Sequence, residues 1–358
     1  MTNAERLFTT ASVLALIGIG CDDVDWPESR YVDSLRVLAV HADPPTLTPG
    51  ASTQLSVLCA DGRRGASTEP TCNVEVAWFA RCDNPVRNDP KNCLRAYSRW
   101  ADDLVSSVAD TPLAAYPDGF AFGRVFGFSA PSTILRDEFD LAGNRIRFGT
   151  SYIFFALCAG RLAWVHGKSE QLPVECRDPV TNKVLDQSRF VVGTTTVYSY
   201  DVATSRNPVL LNPRFDDVSV PEHCDTSAEC PPNFDCSTEN RCVPLVRRCA
   251  KRHSEDCEEH CLSLDLGLDG FSLFSLEGAR ICAPAKSVWL DYLTNAGNLP
   301  GEDARFGIDA PQDDSAVQRT PCIRWQAPTV PTENAHLWAV VRDDRGGTAV
   351  WDQRIIVR

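Results

Sequence analysis

Residues 31–59 read YVDSLRVLAVHADPPTLTPGASTQLSVLC. Leu35 to Ala42 is a mostly apolar run of strand length, and Pro44, Pro45, Pro49 and Gly50 then break it and turn the chain. Beyond the turn, Thr53, Leu55, Val57 and Cys59 alternate with Ser52, Gln54 and Ser56, which is the period of a half-buried strand. Working outward, Val74, Val76, Trp78, Ala80 and Cys82 share one face of VEVAWFARC, so Trp78 is expected to point into a core. YIFFALC, Tyr152 to Cys158, is apolar on both faces and suits a central strand. At the far end, Leu337 to Val341 and Thr348 to Val357 flank a glycine-containing turn at Asp343 to Gly347 and predict a hairpin. The fold class expected is mainly β: two β-sandwich modules with a small disulfide-rich insert.

At 358 residues the chain suits two or three domains. Hydrophobic content of 43% against 23% charged is that of a globular protein with a core to bury. The formal net charge of −13, without a long basic stripe, excludes the electrostatic footprint of a DNA- or RNA-binding protein. Sixteen cysteines are unusual for a cytosolic chain and point to disulfides in an oxidising compartment.

Residues 1–20 read as an export signal: Arg6 supplies charge, and Leu7 to Gly20 is apolar but too short to span a bilayer. Cys21 follows at once. A small residue before a cysteine, after an apolar run, resembles a bacterial lipobox, which implies cleavage after Gly20 and diacylglycerol on Cys21. Gly18 stands where lipoboxes favour leucine, and Gly18 with Gly20 also satisfies ordinary signal peptidase, so a soluble secreted protein and an uncleaved anchor stay open. All three place the chain outside the cytoplasm, and an acyl anchor would hold residues 21–30 as a linker on a membrane. If Cys21 is lipidated, fifteen thiols remain and one is left over.

The first module is expected over residues 31–205, with Cys59, Cys72, Cys82, Cys93, Cys158 and Cys176. Sequence does not prove the pairing, and the set preferred, in which each bond closes a loop after a strand, is Cys59–Cys72, Cys82–Cys93 and Cys158–Cys176. The second module is expected over residues 206–358, with a cysteine-rich insert at about 222–262 that has too little apolar material to hold its shape unstapled. Cys224, Cys230, Cys236 and Cys242 fall at equal spacings, followed by Cys249, Cys257 and Cys261; Cys282 and Cys322 are expected to pair within this half. The equal spacing resembles small C-x5-C knots of secreted proteins. That likeness implies crossed pairing, Cys224–Cys236 and Cys230–Cys242, among three possible connectivities.

An internal repeat is visible. FSAPSTIL from Phe128 precedes YIFFALCAG, as WQAPTVPT from Trp325 precedes HLWAVVRDDRGG; AWFARC around Trp78 resembles LDYLTN around Tyr292. The opening of residues 31–59 resembles bacterial immunoglobulin-like domains, although no tyrosine lies two residues before Cys158 as in the antibody type. With the lipobox-like start, the cysteine-dense middle and the WxAP…VVRDDRGG ending, the chain resembles predicted envelope lipoproteins of myxobacterial type. The resemblance implies an outer-membrane or cell-surface address, with the periplasm open, and no chemistry.

RCAKRHSEDCEEHC spaces Cys249, His253, Cys257 and Cys261 four apart, as on one face of a helix, with His260 beside the last. Thiolates with imidazole suit zinc, but an oxidising compartment favours disulfides, so no metal is expected there. The pairs Asp102–Asp103, Asp216–Asp217, Asp313–Asp314 and Asp343–Asp344 offer oxygen ligands of the calcium type without an EF-hand loop. His41 falls in a strand and reads as structural. Trp325, Trp338 and Trp351 could line a sugar-binding face, though core packing is the better use of such rings.

No Gly-x-Ser-x-Gly, His-Glu-x-x-His or phosphate loop is found. The reading is a non-catalytic envelope lipoprotein, structural or partner-binding, needing no cofactor. It would be held to the membrane by its lipid and meet a protein or glycan, not nucleic acid. The alternative is an extracellular enzyme or accessory carbohydrate-binding protein with a loop-built site, for which residues 94–150 look long and strand-poor.

Overall fold

The computed structural model describes residues 30–63, 72–86, 89–97, 119–139, 145–165, 171–202, 205–251, 257–267, 287–299, 305–309, 317–343 and 345–358. The first sandwich contains β1 (Leu35–Asp43), β2 (Thr46–Leu47), β3 (Ser52–Asp61), β4 (Glu75–Asp83), β5 (Phe120–Phe122), β6 (Val125–Ser129), β7 (Arg136–Phe139), β8 (Arg145–Cys158), β9 (Arg161–Trp164), β10 (Val174–Arg177) and β11 (Phe190–Tyr200). Sheet I runs β1-β3-β6, and sheet II runs β2-β11-β8-β4-β5 with β7 on β8. β2 is parallel to β11, whereas the other pairings in these two sheets are antiparallel.

Between sheets I and II lie Leu55, Val57 and Cys59, the period-two residues of β3, against Trp78, Ile153, Phe155 and Leu157. Trp78 has no exposed surface, stacks on Phe126 at 5.7 Å and donates its indole N–H to the Gly123 carbonyl at 2.7 Å. Phe155 lies across Gly193 of the neighbouring strand, where a Cβ would meet the ring at 2.4 Å. β8 is central and buried on both faces. Its far side, with Phe79, Phe154 and Cys158, is covered by the β9–β10 ribbon and a helix at residues 91–97. The Cys82–Cys93 and Cys158–Cys176 bridges tie those two covers to sheet II.

The second sandwich contains β12 (Val209–Phe215), β13 (Val218–Ser219), β14 (Phe234–Cys236), β15 (Cys242–Val246), β16 (Glu259–Gly267), β17 (Ser287–Thr294), β18 (Arg305–Asp309), β19 (Val317–Arg319), β20 (Ile323–Gln326), β21 (Thr332–Asp343) and β22 (Thr348–Val357). Sheet III runs β13-β12-β16-β19 with β20 also on β16, and sheet IV runs β14-β15-β22-β21-β17-β18. The repeat holds strand for strand: β12, β16 and β20 stand where β1, β3 and β6 do. β15, parallel to β22, answers β2 on β11, and β17, β21 and β22 answer β4, β8 and β11. Trp78 and Tyr292 thus occupy equivalent buried positions, and both x-Ala-Pro turns follow equivalent strands. The fold is mainly β, two immunoglobulin-like sandwiches with a disulfide-rich insert.

The insert is less separate from the second sandwich than the sequence suggests. Its β15 belongs to sheet IV, and residues 259–262 belong to β16, a central strand of sheet III. Nor is the unit held by sulfur alone, since Cys224, Phe234, Cys242 and Val246 sit in the core of the second sandwich. The two sandwiches meet through a fourth apolar cluster of Val32, Leu38, Ala39, Ala60, Leu293, Trp338 and Val340. Polar bonds reinforce it: Val32 N–H to Thr294 O at 2.7 Å, Asn207 Nδ2 to Ala42 O at 2.7 Å, and the Arg342 guanidinium to Leu38 O. His41 bonds Thr348 O at 3.0 Å in this joint, a structural use.

Candidate functional site

Among the described residues, polar groups converge where the insert meets sheet IV. Ser237, Glu239, Arg241 and Val243 from the insert and His336, Asp352, Gln353 and Arg354 from β21 and β22 line a shallow cleft. His336 Nδ1 bonds Asp352 Oδ1 at 2.8 Å, and the ring stacks on Trp338 at 5.5 Å. Serine, histidine and aspartate in one cleft are the residue types of a nucleophilic triad. The bonds are wrong for it. Ser237 Oγ accepts the Glu239 and Arg241 N–H groups, and His336 Nε2 is buried without a partner, so no base nitrogen meets the hydroxyl. Sequence reading missed this His–Asp pair, which is diagonal across the β21–β22 hairpin and becomes visible only once the register Trp338↔Asp352 is known.

A second pair stands at the rim of the second core. His260 Nδ1 bonds Asp216 Oδ2 at 2.8 Å, and its ring stacks on Phe215 at 5.3 Å. Asp216 and Asp217, with φ of 51° and 61°, form the two-residue turn between β12 and β13, where positive φ is required. Burial alone would raise the Asp216 carboxyl. The bonds from His260 and the Cys261 N–H outweigh it and hold the pKa below the ordinary value.

The structure pairs fourteen of the fifteen candidate disulfide cysteines: Cys59–Cys72, Cys82–Cys93, Cys158–Cys176, Cys224–Cys236, Cys230–Cys242, Cys249–Cys257 and Cys261–Cys322. Cys282 and the lipid-attachment candidate Cys21 lie outside the described residues, as does His253. The zinc idea at residues 249–261 fails on the two points that made it attractive. Its three cysteines are oxidised, and His260 and Cys261 lie on strand β16 rather than a helix. Cys224, Cys230 and Cys242 gather their sulfurs within 4.8 Å, but each belongs to a disulfide.

The acidic pairs are likewise committed where they are described. Asp217 pairs with Arg319 at 2.7 Å, and Asp343 Oδ1 accepts the Arg345 and Gly347 N–H groups at 2.8 and 2.7 Å to close its turn. Asp102–Asp103, Asp313–Asp314 and Asp344 lie outside the described residues. Trp325 and Trp338 are buried and Trp351 packs against the second core, so these rings do not form an open sugar-binding face. Of residues 94–150, the described part from 119 on is not strand-poor, because β5, β6, β7 and the start of β8 fall there. Among the described residues no helix is long and apolar enough to cross a membrane.

On the outward side of β16, Asp265 accepts both Arg214 guanidinium nitrogens at 2.9 and 3.1 Å and Asn212 Nδ2 at 2.8 Å. The Arg214 bonds, opposed by burial and aided by Asn212, hold the Asp265 carboxyl below its ordinary range. A depressed folded pKa adds stability above the unfolded value, near roughly pH 4, and loses it as pH falls through the folded one. The urea midpoint of the wild type should therefore drop more steeply below roughly pH 4 than that of Asp265→Asn. Parallel acid profiles for the two proteins would refute that assignment.

No protein-family model matches the chain, and no curated protein matches it. Solved structures do: 16 chains match. Escherichia coli alpha-2-macroglobulin activated by porcine elastase aligns over 93% of this chain and 22% of its own, at 11% identity and a TM-score of 0.21. A Salmonella alpha-2-macroglobulin mutant aligns over 90% and 16%, at 9% identity and a TM-score of 0.21. The trypsin-activated Escherichia coli protein aligns over 92% and 18%, at 10% identity and a TM-score of 0.21. The chain spans about a fifth of the length of these proteins. Likeness at that level bears no functional weight.

Proposed function

We propose that this protein is a non-catalytic envelope lipoprotein that holds a rigid pair of immunoglobulin-like sandwiches on a membrane through Cys21, as a structural or partner-binding module. The joint between the sandwiches carries the reading. An apolar cluster bonded across to both modules makes one stiff body of them, which suits presentation of a surface. The seven disulfides among the described residues belong to an oxidising compartment, which supports an exported body. The outer membrane or cell surface is the address in keeping with the lipobox-like start. The alternative enzyme reading draws no support from the His336 cleft, whose serine and imidazole are not bonded to each other.

Metabolic labelling with an alkyne fatty acid tests the anchor. The wild type should carry the label and fractionate with membranes, and Cys21→Ala should lose the label. An unlabelled wild type recovered in the soluble exported fraction would sink the lipoprotein reading.

A further inference from the structure

The loop between β14 and β15, residues 237–241, stands against β22. Cys236 and Cys242 pair across its base, and the Cys224–Cys236 and Cys230–Cys242 bridges fasten both of its ends. Within it, Ser237 N–H bonds Arg241 O at 2.9 Å, and Ser237 Oγ accepts the Glu239 and Arg241 N–H groups, each at 3.3 Å. The loop is thereby fixed, and Glu239 and Arg241 are held at the cleft that His336, Asp352 and Arg354 line from the sheet side. The lining residues and their neighbours along the chain all fall among those described.

This cleft has unanswered groups of both kinds. Arg241 and Arg354 converge on it without a carboxylate partner among the described residues, although the chain carries a net charge of −13. Each guanidinium has one nitrogen fixed on a backbone carbonyl, Arg241 on Asp352 O at 3.3 Å and Arg354 on Glu333 O at 2.8 Å. Their remaining N–H groups are left to bond an anion. His336 is 4% exposed, and its Nε2 has no partner. With Nδ1–H given to Asp352, Nε2 of the neutral ring is an acceptor, and stacking on Trp338 fixes the ring. Of the two acidic side chains here, Asp352 is taken up by His336, and Glu239 offers a second acceptor.

We propose that this cleft binds an acidic sugar, a uronate residue of a glycan. The arginine pair takes the carboxylate, and Glu239 and His336 Nε2 take sugar hydroxyls. The side chains closing over Nε2 need only rotate to admit a hydroxyl, as interface side chains commonly do on binding. A plain anion would leave both acceptors unused and set its charge beside Glu239, and a neutral sugar would leave both arginines unanswered. The cleft is shallow, so one uronate binds weakly, with a dissociation constant on the order of 0.1–1 mM. The disulfides of the insert gain a use beyond bracing, since they hold the loop that carries Arg241 in place before the ligand arrives. This ligand class rests on the partner-binding reading above and is independent of the anchor at Cys21.

An NMR titration of the exported chain carrying Cys21→Ser reads this directly, with galacturonate, glucuronate, mannuronate and guluronate trisaccharides up to about 10 mM. At least one trisaccharide should bind and shift the His336 imidazole nitrogen resonance, which His336→Gln identifies by its loss. The methyl ester of that trisaccharide, neutral but with the same hydroxyls, should bind about tenfold more weakly. Arg241→Gln and Arg354→Gln should each weaken binding about tenfold, with a thermal midpoint near that of the wild type. Arg241→Lys, which keeps the charge but loses the fork, should fall between. Binding of none of the trisaccharides overturns the proposal, and so does binding undiminished in both glutamine variants. Acetate shifting His336 at the same concentrations would reduce the cleft to a simple anion site and overturn the sugar assignment. Failure of the fatty-acid label at Cys21 bears on the anchor alone.

Discussion

Trp338→Ala is expected to cost about 3–5 kcal/mol and to split one cooperative unfolding transition into two. Trp338 is 4% exposed, yet it lies in neither sandwich core. It packs between the modules with Leu38, Ala39, Ala60, Leu293 and Val340. Its indole N–H has no partner, so truncation removes packing and leaves no broken hydrogen bond behind. The sandwiches also share Asn207 and Arg342 as polar ties, but such bonds contribute only about 1 kcal/mol net each and cannot replace the lost apolar contact. Differential scanning calorimetry distinguishes the outcomes. A single transition at the wild-type midpoint would mean that the joint contributes little to holding the modules together.

Removing the Cys261–Cys322 bridge by a double alanine substitution is expected to cost about 4 kcal/mol, against about 3 kcal/mol for Cys82–Cys93. Loop length makes the difference: the first closes a separation of 61 residues and the second a separation of 11. A longer loop restricts the unfolded chain more when it is closed. The position of the long bridge adds a local effect, since it fastens the start of β16 to the residue just before β20, its partner in sheet III. Urea unfolding of the two double mutants measures both costs. Equal losses would show that native-state contacts, rather than chain restriction, set the worth of these bridges.

The strands that sequence reading found are those whose pattern is local. Leu55, Val57 and Cys59 alternate cleanly, and the doubly apolar Phe154 and Phe155 belong to a strand covered on both sides. The repeat was legible because two aromatic-x-Ala-Pro turns precede equivalent strands. β16 was obscured by Cys261 and the cysteines that precede it. A four-residue Cys/His spacing suggested a helix, while Leu262, Leu264 and Leu266 carried the period-two pattern that decided the matter. β6 was overlooked for a similar reason: VFGFS is only five residues long, but Phe126 and Phe128 point inward from it.

The joint was out of reach altogether. His41 meets Thr348, and Leu38 meets Arg342, across some three hundred residues of chain, and no local pattern announces such a pairing. The same holds for His336 and Asp352, whose meeting depends on hairpin register. The insert's attachment was hidden in Phe234, a lone apolar residue in a polar stretch that proved to be a core residue of the second sandwich.

Non-reduced peptide mapping with intact mass, on protein taken from membranes without thiol reagents, bears most directly on the exported, sulfur-braced body described above. The expected map holds the linked peptides Cys59–Cys72, Cys82–Cys93, Cys158–Cys176, Cys224–Cys236, Cys230–Cys242, Cys249–Cys257 and Cys261–Cys322, with a diacylglyceryl mass on Cys21. Recovery of those cysteines as free thiols, in a chain that still folds and sits in the cytoplasm, would contradict it.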